Sequence, residues 1–570
     1  MMRCRLRSSG HGGKRCRVSP WVLLLACAAA PALAQVSVPP SADPGRQEQR
    51  LAPPPATRPA PPAIEVPDST QGMPAGAAEI RFALAAIDIT GATIYRPEAL
   101  QPLYQPLMGR EVTLAEIFRL ADAITLRYRR DGYILSQAIV PAQEIRDGRV
   151  RLNVVEGFIA RYSFEAPTTS EKPVARYAER ILAERPLTAA TLERYLLLMN
   201  DLPGVVARVT LLPSPDTPGG TDMVLQVKEK RLDAHFTVDN RGTRFLGPTE
   251  GTAGLKANGL FGQGIGVGLR GLVTAPASEL RLGELNAELP LGSDGWRAGL
   301  RVSRSDTKPG FILRPLEIEG DSTSVSVDAS YPLRRSRESN LSVSGRFTWR
   351  ESETTAFGTT IADDKLRILG LGVNWDAIDA WRGVNLASAE LSQGLPGLGA
   401  SRAGSLNLSR AAGRPDFTKL SGSVARVQSI LDGVNLRADL DGQYAFAQLL
   451  SSEQFGIGGA RLGRAYDPSE VIGDHGLAGR LELQWTPDIG EFGVLGGLQL
   501  YGYYDLGRVW RIDGNPGGLA QSVASGGGGA RFSLTGGISG YAEFTKPLTL
   551  APATQGDRDA RFFFGVTTQF

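Results

Sequence analysis

The sequence predicts a transmembrane β-barrel of about 16 antiparallel strands preceded by two small α+β domains. Three observations point there: the alternation of the last ten residues, the loss of helical period after Lys230, and two helix-and-strand units before it. In Arg561-Phe-Phe-Phe-Gly-Val-Thr-Thr-Gln-Phe570, the residues Phe562, Phe564, Val566, Thr568 and Phe570 share one strand face. Arg561, Gly565, Thr567 and Gln569 fall on the other. An apolar-out, small-or-polar-in strand ending on an aromatic residue is how outer-membrane barrels usually finish. Phe570 is therefore the expected signal to the barrel-assembly machinery. A buried edge strand of a soluble sandwich gives the same alternation; the polar faces described below argue against it.

Residues 1–34 read as a signal peptide. Arg3, Arg5, Arg7, Lys14, Arg15 and Arg17 form a basic start, Trp21–Ala30 is apolar but too short to span a bilayer, and Ala32-Leu33-Ala34 offers a cleavage site. A lipoprotein reading through Leu25-Ala26-Cys27 fits less well. Cys4, Cys16 and Cys27 all lie in this leader, so the mature chain has no disulfide or thiolate chemistry. The three histidines, His11, His235 and His475, are too scattered for a metal cage, and no cofactor site is expected. Taking the six leader cations from the 62 Lys and Arg leaves 56 against 59 acids, which gives no support for nucleic-acid binding. No apolar run after residue 35 approaches the roughly 20 residues of a membrane helix. Any crossing is by strands, in contact with outer-membrane lipid.

Residues 35–76 form a Pro-rich periplasmic linker, with Leu51-Ala-Pro-Pro-Pro and Arg58-Pro-Ala-Pro-Pro. The expectation is an extended tether with no core of its own. Asp43–Arg50 has the length of one or two helical turns but is a weak plug candidate, and no plug is predicted.

The first α+β unit spans 77–163. Phe82–Ile89 reads as a strand, Pro97–Gln101 as a short helix, and Thr113 as the cap of a longer helix with Glu116 three residues on. Leu114, Ile117, Phe118, Ala121, Ile124 and Tyr128 make its apolar stripe. Tyr133–Val140 and Arg149–Val155 read as strands. The second unit, 164–230, has helical patterns at Val174–Leu182 and Thr191–Met199, then strands at Val205–Leu212 and Asp222–Val227.

From 231 to 570 about sixteen strands fit, roughly 21 residues each with their loops. Trp296–Val302 sets Trp296, Ala298, Leu300 and Val302 against Arg297 and Arg301. Val434–Phe446 opposes an apolar face to Arg437, Asp439 and Asp441. Leu477–Trp485 does so with Arg480 and Glu482, and Leu498–Asp505 with Tyr501, Tyr503 and Asp505. These charges are too many for the inside of a sandwich, where each unpaired one is costly, and suit a polar lumen.

The longest strand-free stretch, about 448–475, holds Gly463-Arg464-Ala465-Tyr466 and Gly473-Asp474-His475-Gly476. Patternless loops of this length are usually functional or disordered. Gly526–Gly529 lacks the Lys-Ser/Thr of a phosphate-binding loop and reads as a turn entering a strand. No Gly-x-Ser-x-Gly accompanies the histidines, so no enzyme is expected.

The order of these parts resembles the outer-membrane transporter of two-partner secretion (TpsB type), a family within the superfamily of BamA. Arg130-Asp-Gly-Tyr-Ile-Leu-Ser-Gln-Ala-Ile-Val-Pro-Ala-Gln143 and Val154-Val-Glu-Gly157 look like its first POTRA domain. Val238-Asp-Asn-Arg-Gly242 resembles the entry into the first barrel strand. Gly463-Arg-Ala-Tyr466 resembles its Val-Arg-Gly-Phe/Tyr loop motif, and Tyr504-Asp-Leu-Gly-Arg-Val509 its thirteenth strand. The resemblance implies an outer-membrane protein whose POTRA domains, 77–163 and 164–230, bind an unfolded TpsA-type exoprotein in the periplasm. It implies export through the lumen, with Arg464 paired to Asp505 beside Tyr466. Spacing alone leaves a second arrangement open, with Arg464 solvated and Asp505 paired to another lumen arginine. Ala465 stands where the family has Gly; if that position needs positive φ, Ala465 is strained, or the flexibility shifts to Gly463. Strand addition, or seating in a strand–helix groove, at Tyr133, Ile134, Gln137 and Gln143, or at Val205 and Val209, is the expected cargo docking. The alternative is a BamA-like assembly factor that works through the seam between first and last strands.

Overall fold

The computed structural model describes residues 38–51, 64–65 (backbone), 72–490, 493–513 and 519–570; the leader lies outside them. Sixteen strands close into a barrel, every neighbour antiparallel, with the first (Leu232–Asp239) hydrogen-bonded to the last (Arg561–Gln569). Closure satisfies each strand from both sides, as a lipid setting requires. Alternation sorts the faces. Trp296, Leu300, Leu371, Leu440, Leu481, Trp485 and Phe562 point outward and exposed, while Asp441, Glu482 and Asp505 point inward and are buried.

The first periplasmic domain packs two helices on a three-stranded sheet. The longer helix, Leu114–Arg130, starts at a complete capping box, Thr113 with Glu116. Its stripe of Ile117, Phe118, Ala121, Ile124 and Tyr128 is the domain's core. Glu156 closes the far end, accepting from the Thr93 and Ile94 amides and the Tyr128 hydroxyl at 2.7, 2.9 and 2.7 Å. Burial works against its charge, but these bonds hold its carboxyl below the usual range.

The strand expected over Tyr133–Val140 is only Gln137–Ile139. Tyr133 instead packs edge-on against Tyr128, and Ile134 and Leu135 pack into the core of the second domain. This segment is a joint between domains, because Gly132 and Gly157 bond across it to Ala189 and Leu187. Phe158–Phe164 correspondingly joins the second domain's sheet, pairing parallel with Gly220–Glu229, so the boundary falls near Gly157 rather than at 163.

The second domain packs helices Glu171–Leu182 and Ala189–Asn200 on its sheet. It sits on the barrel's periplasmic turns through ion pairs. Asp201 holds Arg335 at 2.7 Å and Arg297 at 3.1 Å, and Asp294 holds Arg180 at 2.5 Å.

The linker departs most from expectation. Residues 38–51 are not a free tether: 3₁₀ turns Pro40–Ala42 and Pro44–Leu51 lie inside the barrel. The Ser305 hydroxyl donates to the Pro44 carbonyl at 2.9 Å, and Glu48 and Arg50 pair with the wall residues Arg350 and Glu250. A segment with so few apolar residues gives no core signal in sequence, since its partners are the lumen's charges.

Leu371→Arg on the lipid face is expected to lower the barrel's unfolding free energy in urea by about 2–4 kcal/mol. Asn374→Arg, on the lumen face three residues along the same strand, shifts it by less than about 1 kcal/mol.

Candidate functional site: a charge-locked loop inside the barrel

The connection between the eleventh strand, Val434–Ala445, and the twelfth, His475–Trp485, folds back into the lumen. A two-stranded ribbon, Phe455–Ile457 with Val471–Gly473, carries a tip at Gly458–Ser469. Ile457, Leu462, Ala465, Tyr466 and Val471 pack against Ala478, Val509 and Val523 of the wall.

Arg464 is the tip's anchor and is 2 % exposed. Its Nε and Nη2 each donate to Asp505 of the thirteenth strand, Leu495–Trp510, at 3.2 Å. The amides of Gly463 and Arg464 reach the same carboxylate at 3.1 and 3.0 Å. Nη1 donates to Glu482 at 2.6 Å and lies 3.6 Å from Glu543. The guanidinium lies 3.2 Å from the Tyr503 ring centroid. Three acids around one arginine are balanced by Arg531 on Glu482 and Arg241 on Glu543. The Tyr466 hydroxyl donates to the Ala524 carbonyl at 2.9 Å.

The question over Ala465 resolves locally. Gly463 takes φ +73°, whereas Ala465 is absent from the positive-φ residues and is fully buried. The left-handed turn lies one step before the arginine rather than one step after it. Gly473, Asp474 and Gly476 form the loop's base. Asp474, fully buried, accepts from Arg410 at 2.5 and 3.1 Å and from the Leu449 and Ile512 amides at 2.8 Å. The Phe455 ring occupies the space a Cβ on Gly476 needs.

Gly526–Gly529 is not a turn. It lies mid-strand in the fourteenth strand, Ala520–Leu534, with Gly527 opposite Tyr503 and Gly529 opposite Tyr501. Both tyrosines lie across these glycines to reach Glu543 at 3.3 and 2.8 Å. A Cβ on Gly527 or Gly529 meets a tyrosine hydroxyl at 2.8 or 2.9 Å and a backbone oxygen at 2.3 Å. The glycines are the floor under the lock's aromatic layer. Sequence reasoning placed Glu482 on the polar face and Arg241 in a motif, but assigned neither to the lock. Glu543 was not singled out; its alternation within Tyr541–Thr545 was the available signal.

The docking candidates lie in the two periplasmic domains. Gln143 caps the first domain's sheet edge, its side chain bonding the Arg151 amide and carbonyl at 2.7 and 2.8 Å. Val205 and Val209 point into the second domain's core and are buried. Their strand, Val205–Pro213, is a sheet edge already covered in part by the linker, since Ile64 and Glu65 pair parallel with Val209 and Thr210. A groove of about 490 Å³ on the first domain is lined by Ile80, Leu114, Phe118, Val140, Gln143 and Ile145 among others.

A closed sixteen-stranded barrel with an inward loop and two small α+β domains ahead of it defines an outer-membrane protein transporter with POTRA domains in the periplasm. The chain belongs to the haemolysin secretion/activation protein family ShlB/FhaC/HecB, whose model matches residues 219–532; the ShlB-type POTRA domain matches 82–157. It is 24 % identical over 487 residues to the heme/hemopexin transporter protein HuxB of Haemophilus influenzae (strain 86-028NP), covering 82 % of this chain and 84 % of that one. Its fold matches CdiB from Escherichia coli with a TM-score of 0.71 at 20 % identity, covering 89 % and 93 % of the two chains. BamA from Haemophilus ducreyi lacking POTRA domains 1–3 matches at 0.51 and 13 % identity, over 86 % of this chain and all of that one. The function follows the secretion relatives, and the BamA-like reading recedes to distant kinship of fold.

Removing Arg464 leaves Asp505 buried without its main counter-charge. Arg464→Ala and Asp505→Asn are each expected to cost about 3–5 kcal/mol, and the double variant less than their sum. The midpoint of heat-modifiable gel mobility, run as a double-mutant cycle, measures this. Gly529→Val is expected to lower the yield of folded barrel in the same gel by lifting Tyr501 off its floor.

Proposed function

We propose that this protein recognises an unfolded exoprotein in the periplasm through its POTRA domains and passes it outward through the lumen, the Arg464 loop and residues 38–51 being the movable obstacles. The observation that carries this is the chemistry of those obstacles. Residues 38–51 fill the lumen mainly with polar contacts that water or a passing polypeptide can replace, and the loop adds only a small apolar patch on one side of the wall to its charged lock. The cargo's leading segment docks as an extended chain in the apolar groove beside Phe118 and Val140, or pairs with the Val205–Pro213 edge. Pairing there displaces Ile64–Glu65, and so loosens the tether that leads back to the lumen segment. Gln143 lines the groove; Gln137 lies on the short edge strand Gln137–Ile139, and Tyr133 and Ile134 lie at the joint between the domains.

The test is secretion of a candidate exoprotein by cells carrying wild type or Arg464→Ala, with insertion checked by heat-modifiable mobility. Lost secretion with intact insertion is the expected result; normal secretion by the variant sinks the role given to the lock. Deleting residues 40–51 is expected to raise single-channel conductance in planar bilayers several-fold, because the lumen segment then no longer narrows the path. Unchanged conductance rules it out as an obstacle.

A further inference from the structure

The seam between the first and last strands is the shortest ladder in the barrel wall, and the inward loop sits against its outer end. Five opposed pairs run from His235–Gln569 to Asp239–Gly565, against eight in each flanking hairpin. Beyond Asp239 the first strand gives one last main-chain bond, from the Asn240 amide to the Phe564 carbonyl at 3.3 Å, and stops, while the last strand extends outward to Arg561. Asn240 bridges the difference with its side chain. Its Nδ2 donates to the Phe562 carbonyl at 2.9 Å and its Oδ1 accepts from the Phe564 amide at 2.8 Å, so one carboxamide stands in for a strand residue.

The next residue, Arg241, turns inward. It donates to the Arg464 carbonyl at 3.0 Å and to Glu543 at 2.5 Å. From the other side of the seam, Arg561 donates to the following loop carbonyl, Ala465, at 2.9 Å and to Asp467 at 2.7 Å. Both guanidinium groups lie near one ring, Phe563, at 4.1 and 4.9 Å from its centroid. Asp467 is buried and also accepts from Thr243 and Thr554, in the first and last extracellular connections, each at 2.8 Å. Two consecutive loop carbonyls and one carboxylate are thereby bonded to both sides of the seam.

We infer that the inward loop is the outer clasp of the seam: Arg241, Arg561 and Asp467 hold the first and last strands together past their final ladder pair for as long as the loop is in place. Releasing the loop frees that end of the seam. Arg241 and Arg561 are positioning residues in this scheme, acting on the loop backbone. The clasp is present whether or not the loop moves during export, so it can fail or stand apart from the secretion reading.

Hydrogen exchange of the full chain in detergent, read by mass spectrometry, tests this. The seam peptides are 232–243 and 561–569, and 339–378 is the internal reference. Asp467→Asn and Arg464→Ala are each expected to speed exchange at Asn240–Arg241 and Phe562–Phe564 at least about tenfold, the effect of losing one charge-assisted hydrogen bond, with the reference unchanged. Thr237 and Thr567 face each other with hydroxyls 2.9 Å apart. The pair Thr237→Cys/Thr567→Cys, oxidised in a mature chain with no other cysteine, is expected to restore protection. Faster exchange across 458–470 with the seam unchanged overturns the clasp and leaves the lock intact. Should Arg464→Ala fail to fold, unchanged seam exchange in Asp467→Asn overturns it alone.

Discussion

The ion pair between Arg464 and Asp505 is the contact on which the barrel interior depends. A charge taken out of water must find a counter-charge and hydrogen bonds, or the group is not tolerated there. Asp505 accepts four bonds from the loop tip, two from the guanidinium and two from backbone amides. Once that carboxylate fixes the tip, the rest is determined in sequence. Glu482 and Glu543 need Arg531 and Arg241, the tyrosines that carry Arg464 need Glu543 for their hydroxyls, and the rings need glycines beneath them. Two glycines of a four-glycine run in a membrane strand, a weakness by propensity, are explained by tyrosines of the neighbouring strand that cross them.

The lumen segment connects to the same loop at its other end. Arg46 donates to the carbonyls of Ser451 and Gln454 and to the Ser469 hydroxyl, at 2.7, 3.0 and 3.1 Å. It therefore touches the loop just before its first ribbon strand and at the end of its tip. Arg350 of the wall is shared by Glu48 of the segment and Glu453 of the loop. Arg46 loses its three loop bonds when either element leaves, so their departures are energetically coupled.

The barrel was legible in sequence because its period is strict: a lipid-facing residue must be apolar, and its neighbours then declare themselves. The place of the loop, after the eleventh strand, followed from counting. The helices of the periplasmic domains were legible for the same reason, with Thr113 and Glu116 marking a start. What was hidden are contacts between residues hundreds of positions apart that leave no local pattern. Residues 38–51 look like a tether because their partners are Glu250, Ser305 and Arg350. Tyr133–Val140 looks like one strand because Ile134 and Leu135, which face the second domain, continue the apolar pattern of the short strand Gln137–Ile139. Gly526–Gly529 looks like a turn because the residues it accommodates, Tyr501 and Tyr503, belong to another strand.

The chemistry of the obstruction is itself informative. An apolar plug of similar size is held by the hydrophobic effect, and its removal exposes area that nothing in a polar lumen re-covers. The polar contacts here exchange one set of hydrogen bonds for another, so their net hold is small although their geometry is specific, and the loop's small apolar patch on Ala478, Val509 and Val523 adds the remainder. Balanced charge matters in the same way: with Arg464, Arg241 and Arg531 set against Asp505, Glu482 and Glu543, the closed arrangement carries no excess field to trap a passing chain of either sign. In the export cycle proposed above, departure of Arg464 would leave the wall a net negative patch at that height, which would favour the loop's return. The buried arginine is therefore better described as a return spring than as a bolt.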